Sequence, residues 1–210
     1  MIHSDRTPVQ RTRPKRLLRL GILLVWPTAL LCGVLVIAIH DNEPGLMLSS
    51  AAAAERLPEV AHDSGRPTLT LFIHPRCPCS NASVQAFSEL LAEHAGAVRP
   101  VVVLFVPSSL LGGWSDSAAT RFAKSLPGVT VIQDYDGVIA RSAGVHTSGH
   151  VMLVDAAGRL MFTGGITVSR GHVGPSAGMD AISRCLGKET PFAGETLSAP
   201  VFGCTFESEE

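Results

Sequence analysis

The chain has 210 residues, a formal net charge of −1 and 46% hydrophobic residues. That length suits one ordinary domain with an appendage, and the composition excludes a disordered or low-complexity protein. The sequence has no glycine-rich phosphate loop, no paired catalytic carboxylates and no basic surface interleaved with aromatics, so the chemistries these serve, and nucleic-acid binding, are not expected.

Residues 1–19 carry Arg6, Arg11, Arg13, Lys15, Arg16 and Arg19 against Asp5 alone. An uncharged run, 20–39, follows. As a helix it would be about 30 Å long, the thickness of a bilayer's hydrocarbon core. Basic residues before such a run stay in the cytoplasm, so the reading is a cytoplasmic basic segment, a single-pass anchor in a bacterial cytoplasmic membrane, and everything after His40 on the periplasmic side. A cleaved signal peptide is the rival, because Ala51 to Ala54 are small residues of the kind a signal peptidase accepts. The run exceeds an ordinary signal-peptide core, which favours the uncleaved anchor. Residues 40–66, rich in Ala, Ser, Glu and Pro, read as a flexible stalk.

Residues 67–187 read as the domain. Thr68 to His74 is a run of strand formers cut off by Pro75. Ser83 to Glu93 spaces Val84, Phe87, Leu90 and Leu91 as an amphipathic helix. Val101 to Val106 is apolar on both faces, as a central strand is. Ser117 to Ser125 reads as a helix with Ala118, Phe122 and Leu126 inward, and Val129 to Ile132 as a short strand. Asp134 to Gly137 turns the chain into a brief helix ending near Gly144. Val151 to Asp155 and Arg159 to Phe162 form a hairpin around Ala156-Ala157-Gly158. Gly178 to Leu186 is a closing helix with Met179, Ile182 and Leu186 on one face. Residues 188–210 form a tail whose Val201, Phe202 and Phe206 should pack back on the domain. The order predicts an α/β domain with a central mixed sheet and helices on both faces.

That order, with a cysteine at the first strand-to-helix junction and the segments VIQDYDGVIARSAGV (131–145) and VMLVDAAGRLMFTGGI (151–166), resembles the membrane-tethered thioredoxin-like proteins of the TlpA and ResA kind. The pieces HPRCPCSNAS, TSGHVMLVDAAGRL, GGITVSRGH and VFGC also resemble bacterial proteins described as RedB-like. The resemblance implies a thioredoxin-like fold and redox chemistry on extracytoplasmic thiol and disulfide proteins.

A thiol is a nucleophile as thiolate, and a helix amino terminus favours that anion. Cys77 lies where that field is felt. Against the Cys-x-x-Cys of thioredoxin-like enzymes, Cys77 takes the nucleophile's place and Ser80 the resolving cysteine's, so the familiar disulfide cannot form. Cys79 is the nearest partner in Cys77-Pro78-Cys79, which resembles the redox pair of the mitochondrial import oxidase. A disulfide across so few bonds is expected to be strained and reducible. The expectation is a lowered Cys77 pKa, a reversible Cys77–Cys79 disulfide, and resolution of mixed disulfides by Cys79.

Supporting roles fall to residues nearby. His74 and Arg76 flank the pair as charges or as loop ends. His150 is placed as a base, a ligand or a structural residue where thioredoxin-like enzymes carry a proline, and Gly149 allows close backbone approach. His172, in Ser169-Arg170-Gly171-His172, serves the site or a turn. Cys185 is a core thiol or the disulfide partner of Cys204, and Cys204 otherwise approaches the active thiols; the pairing is the expected outcome. No cofactor is expected under the redox reading. The alternative is a copper chaperone, by resemblance to Sco-type assembly factors, with Cys77, Cys79 and His150 as ligands.

Overall fold

The computed structural model describes residues 13–54, 65–110, 112–187 and 196–206. The chain divides into two compact units, Met1–His40 and Asp41–Glu210. The described part of the first belongs to helix α1, Arg13–Asn42, whose last two residues fall in the second. Within α1, Gly21–Asn42 has a mean hydropathy of 2.6 and is long and apolar enough to cross a membrane, a candidate anchor. Pro27 lies inside the helix, and one residue on the Thr28 hydroxyl donates to Leu24 O at 2.7 Å.

The second unit is an α/β domain with a central mixed sheet and helices on both faces. Its elements are α2 (Ser50–Ala54), β1 (Thr68–Ile73), α3 (Ser80–Glu93), β2 (Arg99–Val106), α4 (Ala118–Ser125), β3 (Thr130–Tyr135), α5 (Val138–Ser142), β4 (His150–Val154), β5 (Leu160–Gly165), α6 (Ala177–Leu186) and β6 (Leu197–Ala199). The sheet order is β3-β2-β1-β4-β5-β6. Strands β1, β2 and β3 are parallel; β4 runs antiparallel to β1 and to β5, and β6 joins β5 in parallel.

Alternation along β1 explains the two apolar layers. Leu69, Leu71 and Ile73 face α3, α4 and α6, where Val84, Phe87, Leu90, Ala123 and Ile182 close the larger core. Phe72 faces the other way, with Val101, Val103, Met152 and Val154, under Ala140 and Ala143 of the α5 region and Ala53 of α2. Every residue of β1 and of β4 is buried, as strands covered on both faces must be.

Three sequence expectations change. Residues 41–54 are not a free stalk: Gly45 N donates to Val201 O, Thr147 Oγ1 donates to Leu46 O, Met47 bridges Val145, and Ala53 is buried. Ala53 of this segment joins the second apolar layer; residues 55–64 lie outside the described residues. On α4 the inward residues are Ala119, Thr120 and Ala123, while Phe122 is 40% exposed. The cap decides the phase, since Ser117 accepts from Thr120 N and starts the helix at Ala118. Helix α3 begins at Ser80 rather than Ser83, because the Ser80 hydroxyl reaches back to His74 O at 2.8 Å and closes the preceding loop.

Candidate active site

The loop His74 to Cys79 joins the carboxyl end of β1 to α3. It closes on itself through Cys77 N to His74 O and Ser80 N to Cys77 O, each 3.1 Å. Cys79 is the N-cap of α3 with helical backbone angles and no capping side-chain bond. Pro78 between the thiols is exposed, whereas Cys77 is only 3% exposed.

The loop is sewn to two other segments by Ser148, which sequence reasoning missed. Its hydroxyl accepts from His74 N at 2.9 Å and bonds the Ser80 hydroxyl at 3.0 Å, while its own N–H donates to Cys204 O at 2.8 Å. Ser80, in the resolving cysteine's place, therefore serves as a structural clasp. Gly149 has φ 88°, and a Cβ there would lie 2.6 Å from the Ser83 hydroxyl oxygen, so this position favours glycine.

Cys204 is the third thiol of the site. Its thiol and backbone N–H act on the Cys77 sulfur, as do the backbone N–H and thiol of Cys79. The Cys204 thiol is the largest cause, and together these donors overcome burial and lower Cys77 from the ordinary 9.0 to about 5. Burial, then the Cys77 charge, push Cys79 up to about 11, against a lowering by Arg170. Cys204 is raised, first because its proton is committed to Cys77. Of the three thiols, Cys77 is thus the one that ionises first.

A titration of thiolate ultraviolet absorbance in the reduced protein should therefore show one sulfur ionising near pH 5. Because the folded pKa lies below 9.0, the stability this group contributes is present in full above pH 9 and is lost as pH falls through about 5. Absence of any thiolate step below pH 7 would contradict the geometry.

The flanking residues build the loop. His74 stacks on Phe105 with ring centroids 5.2 Å apart, meets Trp114 edge-on at 5.2 Å, and its Nδ1 accepts from Arg76 N at 3.2 Å. The Arg76 Nε donates to Trp114 O at 2.9 Å. The lowering of Cys77 comes from Cys204 and Cys79, not from His74 or Arg76.

His150 is buried within the sheet, paired across to Phe72, with Nε2 bonded to Thr163 Oγ1 at 2.8 Å. Burial lowers it to about 4, so it stays neutral. His172 closes a turn: its Nδ1 lies 3.0 Å from Ser169 Oγ and 2.7 Å from Arg170 O. The copper ligand set Cys77, Cys79 and His150 is not assembled; among the described residues no group of three His, Cys, Asp or Glu side chains is placed to hold a metal ion. The expected Cys185–Cys204 disulfide is absent, with both thiols free. Cys185 points into the larger core, its thiol 3.8 Å from Met161 O, while Cys204 is held at Cys77.

Comparisons with known proteins agree at the level of fold. No protein-family model matches the sequence, and none of the curated proteins is similar to it. Among solved structures the chain is similar to an uncharacterized conserved protein from Geobacillus kaustophilus, with 16% identity, 70% of this chain and 79% of that one covered, and a TM-score of 0.52. It is similar to a hypothetical protein from Sinorhizobium meliloti 1021 at 19% identity, covering 79% and 88% of the two chains, TM-score 0.52. A secreted Mycobacterium tuberculosis disulfide oxidoreductase matches at 22% identity over 59% and 81%, TM-score 0.40.

Proposed function

We propose that the protein is a membrane-anchored, extracytoplasmic thiol–disulfide oxidoreductase that works through Cys77 of its Cys-Pro-Cys pair. The observation that carries the proposal is the placement of Cys77 in the tight loop that opens α3, with Cys204 held to that loop through Ser148 and lowering the Cys77 thiol toward about 5. A thiolate attacks disulfides, and a thiol of low pKa is also the better leaving group, so the same sulfur serves both directions of exchange. No imidazole is needed as base, because the proton has already gone. Its partners are extracytoplasmic proteins carrying thiols or disulfides.

The direct test is exchange between a model dithiol peptide and glutathione disulfide, with the full chain in detergent. Acceleration over the uncatalysed rate is expected, and equal rates with and without protein would defeat the proposal. Location is tested separately with alkaline phosphatase. Fused after Pro67 it should be active, and fused before Leu20 inactive, since the basic segment stays inside. The opposite pattern would reverse the topology.

A further inference from the structure

Resting on that reading, we propose that the redox partner of Cys77 is Cys204 of the carboxyl-terminal segment rather than Cys79, and that the Cys77–Cys204 disulfide oxidises substrate dithiols.

Position argues first. Cys204 is fixed beside Cys77 from three sides. Its carbonyl accepts from Ser148 N, whose hydroxyl is bound to both His74 N and Ser80 Oγ of the thiol loop. Arg170 Nη1 donates to the preceding carbonyl, Gly203 O, and Arg170 N donates to Asp41 O at 2.9 Å. After it, Thr205 bridges Thr147, Phe206 N donates to His146 O at 3.0 Å, and the Phe206 ring lies 5.8 Å from Phe105. Cys204 thus stands where its thiol acts on Cys77, and the segment carrying it is bonded before, at and after that residue.

Geometry argues against Cys79. As N-cap of α3 it has φ −68° and ψ −20°, and its carbonyl is committed to Ser83 N. A disulfide to Cys77 must close a small ring through Pro78, whose φ is fixed, while Cys79 stays in that helical conformation. Cys204 belongs to a separate segment and carries no such ring.

Exposure assigns the order of events. Cys77 is 3% exposed and Cys204 is half-buried, so an incoming thiolate meets Cys204. That thiolate attacks the Cys204 sulfur and forms a substrate–Cys204 bond as the Cys77–Cys204 bond breaks. Cys77 leaves with the electron pair as thiolate, where the Cys79 donors receive it. The second substrate thiolate then attacks the substrate sulfur of the mixed disulfide. A substrate disulfide forms, and Cys204 leaves as thiolate and takes up a proton. Two electrons pass from the dithiol to the cysteine pair, and an external small disulfide such as glutathione disulfide restores it.

The experiment is disulfide mapping. The full chain in detergent is oxidised with glutathione disulfide, quenched in acid, alkylated and digested without reduction. A Cys77–Cys204 linked peptide is expected in the natural protein and in Cys79→Ser, and its loss in Cys204→Ser, with Cys77 there found as a glutathione adduct. Should Cys204→Ser fail to fold, the natural protein and Cys79→Ser still decide. A Cys77–Cys79 link that persists in Cys204→Ser overturns this proposal alone, because exchange through Cys77 survives. Finding Cys77 unlinked in every sample, together with no oxidation of a dithiol peptide, overturns both this proposal and the oxidoreductase reading beneath it.

Discussion

Replacing Cys77 with serine should abolish thiol–disulfide exchange and leave the fold in place. A serine hydroxyl does not ionise near neutral pH and forms no disulfide, so neither attack nor departure is open to it. Tolerance follows from the site: position 77 is buried among hydrogen-bond donors from Cys204 and Cys79, and a neutral hydroxyl can accept from them. The same change removes the acid-range thiolate, so the absorbance step near pH 5 should vanish with the activity. Circular dichroism should match the natural protein. Residual exchange at the natural rate in Cys77→Ser would move the chemistry to another sulfur.

The second large effect is predicted at a residue with no side chain. A Cβ on Gly203 would lie 1.9 Å from Ser148 O, a backbone atom that cannot swing away. Gly203→Val should therefore lift the carboxyl-terminal segment off the domain and carry Cys204 away from Cys77. Two consequences follow. Cys77 loses its strongest donor, so its pKa should climb from about 5 toward the ordinary 9.0, and thiolate absorbance at pH 7 should fall. Ser148 N loses its acceptor in a buried place, at a cost of about 1–3 kcal/mol in denaturant unfolding. An unchanged thiolate signal in Gly203→Val would show that Cys204 does not set the ionisation of Cys77.

The sheet was legible because its strands are covered on both faces and read as continuous apolar runs; Val101 to Val106 needed no partner to be recognised. Gly149 was legible for a related reason, since a glycine between Ser148 and a buried strand is retained only where a side chain cannot fit. The errors share one cause, which is distance along the chain. Ala51 to Ala54 looked like linker until the second face of the sheet supplied a surface for Ala53 to bury against. Cys185 and Cys204 were read as a pair that fastens the tail, yet one points into the core beside β5 and the other is held at the thiol loop. Ser148 carried no signal of its own, since a serine's role as clasp depends on three segments meeting. Arg170 stood in the stretch read for His172, but its contact with Gly203 O belongs to the tail's path.

The most direct test of the account is a redox titration of Cys77. The reduced protein is equilibrated in glutathione buffers of graded ratio, quenched in acid, and the fraction of Cys77 in disulfide is read by mass spectrometry. Stabilising the Cys77 thiolate stabilises the reduced form and makes the disulfide the more oxidising, so a reversible two-electron transition is expected at a potential less negative than the roughly −300 mV of structural disulfides. A Cys77 that stays reduced across the whole range, or one locked in a disulfide below about −300 mV, would contradict the claim that this sulfur is the working centre of the protein.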